Sequence, residues 1–157
     1  MRKITEKQCA AVTVLKIIML VFSAVYCLFM PFMTGLGLIY NSDSYGAEIS
    51  LWGALFIVSA VLMSAAAVMC IPRKKALNLL AVIFSAVGCV LCMAMLYKLC
   101  LHADSSGWSD KFTMEQISYM YRRRLIPCIV PVILIIIVSA VQIRKNQGTV
   151  EKYTSIL

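Results

Sequence analysis

Four stretches of this chain contain no aspartate, glutamate, lysine, arginine or histidine: residues 17–39, 51–71, 76–97 and 125–143. Each matches the roughly 20 residues that an α-helix needs to cross a hydrocarbon core. With 62% hydrophobic and only 14% charged residues, and a mean hydropathy of +0.89, the chain lies far from soluble averages. Inside lipid the backbone must satisfy its own hydrogen bonds. Continuous apolar runs of this length therefore read as helices, whereas barrel strands would alternate over about ten residues. The expected fold is an all-α integral membrane protein, a four-transmembrane-helix bundle forming a single membrane domain over residues 1–157. "MRKITEKQ" ahead of the first run has the basic character of a secretory leader. The apolar run behind it exceeds the roughly 7–15 residues of a leader and no A-x-A site follows, so the first helix is expected to be retained.

Basic residues orient the spans. The N-terminal segment carries Arg2, Lys3 and Lys7, with Lys16 at the entry to the first span. "IPRKKA" between spans two and three carries Arg73, Lys74 and Lys75, and the C-terminal segment carries Arg144, Lys145 and Lys152. The connection "YNSDSYGAEIS" has Asp43 and Glu48 but no lysine or arginine. Positive residues favour the cytoplasmic face, which places both termini and the short turn inside. The third connection, about residues 98–124, runs against this pattern with Lys98, Lys111, Arg122, Arg123 and Arg124.

An amphipathic interfacial helix in this second outer loop would resolve the conflict. In "SDKFTMEQISYMYRRRL", Ser109, Asp110 and Thr113 are good N-caps, and Thr113 and Gln116 have the capping-box spacing. At 100° per residue Met114, Ile117, Tyr121 and Leu125 share an apolar stripe, while Glu115, Ser118, Arg122 and Arg123 lie mainly off it. Such a helix lies on the bilayer surface. Its arginines then serve as an interfacial anchor on lipid phosphates or as a docking face for an acidic partner. Pro127 falls in the first turn of the fourth span, where a missing N–H is tolerated, and Pro131 is expected to kink that span.

Spans two and three are joined by a few residues and must form an antiparallel hairpin. Ala60, Ser64 and Ala67 share one face of the second, and Ala81, Ser85, Gly88 and Cys92 recur at helical spacing on the third. Small faces let helix backbones approach closely in lipid, so these seven residues are the expected packing seam, within one chain or between copies.

The seven cysteines divide by position. Cys9 and Cys70 lie near the cytoplasmic ends, where acylation is an option. Cys27, Cys89 and Cys92 sit inside spans as small apolar residues. Cys100 and Cys128 flank the outer loop, and a disulfide between them would clamp its base. Cys89 and Cys92 have C-x-x-C spacing, although thiolates are disfavoured in so apolar a setting. "CLHAD" sets Cys100, His102 and Asp104 at alternate positions, a spacing that suits an extended strand better than a chelating loop. His102 is expected in the loop. No metal or cofactor is expected, and no phosphate loop, H-E-x-x-H or nucleophile elbow is present.

The uncharged spans argue against a small proton-coupled carrier, which keeps ionisable groups in the membrane. The net charge of +8 is spread along membrane flanks, so the expected partners are anionic lipid headgroups rather than nucleic acid, and another membrane protein or a second copy. "YTSIL" fits a tyrosine sorting signal and a C-terminal groove ligand, both short patterns. The expected function is that of a non-enzymatic accessory or interaction subunit of the plasma or cell membrane. Two alternatives are a transport or channel component acting as an oligomer, and a membrane thiol-disulfide oxidoreductase.

Overall fold

A computed structural model describes residues 2–72, 74–105, 123 and 126–143, and among these every regular element is helical. Four helices are long and apolar enough to cross a membrane: Ala10–Tyr40, Ala47–Met69, Lys75–Ala103 and Ile126–Ile143.

The first span is composite. Helix α1 (Arg2–Cys27) passes through a π-turn (Leu28–Phe32) into α2 (Met33–Tyr40). The cause is Pro31, buried within the turn. It has no N–H to donate, and its ring would collide with the carbonyl of Cys27, so the ladder widens locally to i→i+5. The apolar helix begins several residues before the uncharged run, because a single Lys16 does not interrupt it. The Lys16 ammonium instead donates to the carbonyl of Ile71 at 2.8 Å, beyond the C-terminal end of the second span, where the helix dipole favours a cation.

The first connection is tight. Asn41 Nδ2 donates to the carbonyl of Gly37 at 2.7 Å and Ser42 Oγ to that of Ile39 at 2.8 Å, closing α2. One short turn of helix, α3 (Ser42–Tyr45), leads to Gly46, whose φ of +110° reverses the chain into α4 (Ala47–Met69). After the basic turn, α5 (Lys75–Ser105) continues well past residue 97. It takes in the whole of "CLHAD", so His102 is helical rather than in a loop, and Cys100, His102 and Asp104 do not form an extended strand. Helix α6 (Ile126–Ile143) stays helical through Pro131, which is fully buried.

Backbone proximity sets the packing. A Cβ added to Gly35 would lie 2.6 Å from the carbonyl oxygen of Gly53, and one added to Gly53 would lie 2.7 Å from that of Gly35. Across the hairpin, a Cβ on Gly88 would meet Met63 at 2.8 Å and the Ser59 carbonyl at 3.1 Å. Helix α6 runs antiparallel to α5: Cys128 meets Cys89, and Ser139 meets Asn78, an equal step of eleven residues along each helix. The core has two buried clusters, one around Phe56, Met63, Cys89, Cys92 and Cys128, the other around Met19, Ala67, Ala81 and Ile135.

Candidate functional site

The small residues expected to form a seam are placed mainly where close packing requires them. Ala60, Ala67, Ala81, Ser85, Gly88 and Cys92 are all buried. Of these, Ala60 also borders the groove described below. Ser85 returns its hydroxyl to the Val82 carbonyl at 2.9 Å, and Ser59, buried beside them, does the same to Phe56 at 2.7 Å. These back-bonds satisfy hydroxyls that lipid cannot. Ser64 differs: it is exposed and lines a groove.

That groove lies between the first span and α4. It encloses about 580 Å³ and is lined by Ala24, Cys27, Leu28, Phe32, Ala60, Val61, Ser64, Ala65 and Val68. Its position follows from the π-turn together with the run of small side chains Ala60, Ser64 and Ala65. It is open to the outside of the described helices, and it is apolar with a single hydroxyl.

A cluster of sulfur atoms occupies the centre of the bundle. The Sγ atoms of Cys89 and Cys128 lie 3.4 Å apart, with exposures of 7% and 2%. Each thiol also approaches the other's backbone carbonyl, Cys89 Sγ at 3.7 Å from the Cys128 oxygen and Cys128 Sγ at 3.9 Å from the Cys89 oxygen. Met93 Sδ lies 3.7 Å from Cys89 Sγ, and the Tyr26 hydroxyl lies 4.0 Å from Cys92 Sγ. Cys27 belongs to the same buried cluster. Cys128 thus meets sulfur within the bundle, that of Cys89 at 3.4 Å and also that of Cys92. Cys100, expected as its partner in an outer clamp, is half-buried near the far end of α5. No group of three or more His, Cys, Asp or Glu side chains among the described residues is arranged to hold a metal ion.

A polar layer closes the opposite end. Gln142 Nε2 donates to the Cys70 carbonyl at 2.9 Å, Cys70 Sγ lies 3.4 Å from Ser139 Oγ, and Ser139 Oγ lies 3.4 Å from the Asn78 carbonyl oxygen. Together with Lys16 on Ile71, these bonds bring the start of the first span, the short turn and the end of the fourth span to one end of the bundle. Cys70 has no exposed area, so its thiol is not presented for acylation. The Asn78 side-chain amide is also fully buried and has no hydrogen-bond partner among the described residues, nor has Gln142 Oε1. Asn78 and Gln142 are the only amide side chains in their uncharged runs, a signal that could have marked them from sequence.

At the other end of the bundle, the His102 ring meets Trp52 edge-on, with centroids 5.2 Å apart and planes at 84°. The arrangement joins the start of α4 to the last turns of α5. Of the segment expected to anchor or dock, Arg123 is helical and exposed. Met114, Ile117, Tyr121, Arg122 and Arg124 lie outside the described residues, as does the side chain of Cys9.

No protein-family model, curated protein or solved structure matches this chain.

Proposed function

We propose that this protein is a non-enzymatic accessory subunit of the cell membrane that binds a transmembrane helix of another membrane protein in the groove between its first span and α4. The observation that carries this reading is the pairing of a packed interior with an open lateral face. The small faces of spans two and three are largely buried within the chain, whereas Ala24, Ser64, Ala65 and their neighbours line an open groove with about 580 Å³ of apolar space. Small side chains let a partner backbone approach, and the Ser64 hydroxyl offers an interhelical hydrogen bond. Both termini and the turn around Lys74 face the cytoplasm in this reading, by the excess of basic residues there. The outer segment with Arg122, Arg123 and Arg124 anchors at lipid phosphates beside the same partner.

The test is a photoreactive side chain at Ala65 or Val68, activated in native membranes, followed by isolation in mild detergent. The expected product is a discrete adduct with one other membrane protein that also co-purifies without crosslinking. A partner-free homo-oligomer that passes solute or ions in liposomes would replace this reading with the transport one.

A further inference from the structure

We propose that Cys89 and Cys128 are a redox-active pair, closed by a lipid-soluble quinone into a disulfide that fastens α5 to α6 inside the membrane. The juxtaposition is unusual in being reciprocal. The two Sγ atoms stand 3.4 Å apart, and each thiol also reaches the other residue's carbonyl, so the two backbones are close at this level. A disulfide needs an Sγ–Sγ separation of about 2 Å. In the proposed step the remaining approach comes from rotation of the two side chains about their Cα–Cβ bonds. The matching register at Ser139 and Asn78 holds the helices in place while this happens.

The surroundings select the oxidant. Both thiols are buried among Tyr26, Phe56, Met63 and Met95, in a bundle whose outer surface is apolar. Aqueous disulfides act through a thiolate, which this environment disfavours. Oxidising a dithiol removes two electrons and two protons, and leaving either charge behind in a low-dielectric interior is costly. A quinone takes up both as neutral hydrogens. In the step, the two S–H bonds break and one S–S bond forms, while the two quinone carbonyls become the hydroxyls of the quinol. This inference is independent of the partner-binding reading, because the pair lies within the bundle and the groove is judged by a different measurement.

The test uses the full chain in phospholipid nanodiscs with a decyl-substituted benzoquinone, then alkylation of remaining thiols, denaturation and tryptic digestion. Cleavage after basic residues puts Cys89 and Cys92 on the peptide 76–98, Cys100 on 99–111 and Cys128 on 125–144. The expected product joins 76–98 to 125–144. It should persist in Cys92→Ser and Cys100→Ser and vanish in Cys89→Ser and Cys128→Ser, with an equal amount of quinol formed. Glutathione disulfide at the same concentration should give at least about tenfold less. Unfolding temperatures of the four variants, read by tryptophan fluorescence, confirm that each is folded, and Cys→Ala replaces any that is not. Linkage of 99–111 to 125–144, linkage surviving in Cys89→Ser, equal reaction with glutathione disulfide, or no linkage at saturating quinone would each overturn the proposal.

Discussion

Gly35 and Gly53 pack backbone to backbone across α2 and α4, so that a methyl group on either would strike the carbonyl oxygen of the other. The Gly35 position would also meet Ile57, and the Gly53 position Ile39. Because backbone atoms cannot turn aside as a flexible side chain can, either Gly35→Ala or Gly53→Ala forces the helices apart. The expected cost is about 1–3 kcal/mol, as for overpacking in a close-packed core. Gly37 supplies the control, since a Cβ there meets nothing within 4 Å. Gly37→Ala should be neutral or mildly stabilising. Thermal unfolding in detergent, followed by tryptophan fluorescence, orders the three variants.

Gly46 tests the reversal between the first two spans. Its φ of +110° lies where a side chain is strained, although open space surrounds the position. Gly46→Ala is therefore expected to cost about 1–3 kcal/mol through backbone strain alone. Gly46→Asn should cost about as much, because a ψ of 152° lies outside the left-handed helical well that asparagine tolerates, in a region that is essentially glycine's alone. Equal unfolding temperatures for both variants and the parent would show that the connection reverses differently.

The polar layer around Cys70 and Gln142 yields a contrast between neighbours. Gln142→Leu removes the donor to the Cys70 carbonyl and leaves that oxygen buried without it, at a cost of about 1–3 kcal/mol. Asn78→Leu, a similar change on the facing helix, removes an amide that has no partner among the described residues. Replacing such a group with an apolar one is expected to be neutral or stabilising. Unfolding temperatures moving in opposite directions would bear out the layer's geometry, and equal losses would refute it.

How much of this was legible beforehand follows from what period and charge encode. The four uncharged runs located the four spanning helices, because lipid leaves the backbone few alternatives. Spacing alone tells which side chains share a helix face, and six of the seven small residues so grouped are buried. Ser64 belongs to that face by spacing yet is exposed and lines the groove, which Ala60 borders as well. Alternation in "CLHAD" suggested extended chain, but α5 simply continued through it. The sequence held no stop signal there, neither proline nor glycine before Gly107. The Gly35–Gly53 and Cys89–Cys128 contacts were not legible, because each joins distant segments and depends on helix register. One residue of slippage along a helix rotates a side chain by about 100°.

The groove can be filled without disturbing the core, which separates binding from stability. Val61 lines it and is 59% exposed, so its side chain faces lipid rather than the interior. Val61→Trp places a large ring across the opening while leaving Phe56, Ala60 and Met63 in place behind it. The unfolding temperature is expected to stay near that of the parent, as surface changes usually fall within about 0.5 kcal/mol. Recovery of the partner protein in mild detergent should fall at least about tenfold, because a helix that requires close backbone approach cannot pass a ring of that size. Leu79→Trp, equally exposed at 59% but on α5 and away from the groove, is the matched control and should retain the partner. If both substitutions release the partner, general surface bulk explains the loss. If neither does, the groove is not where the partner sits, and crosslinking would move to the outer segment around Arg123.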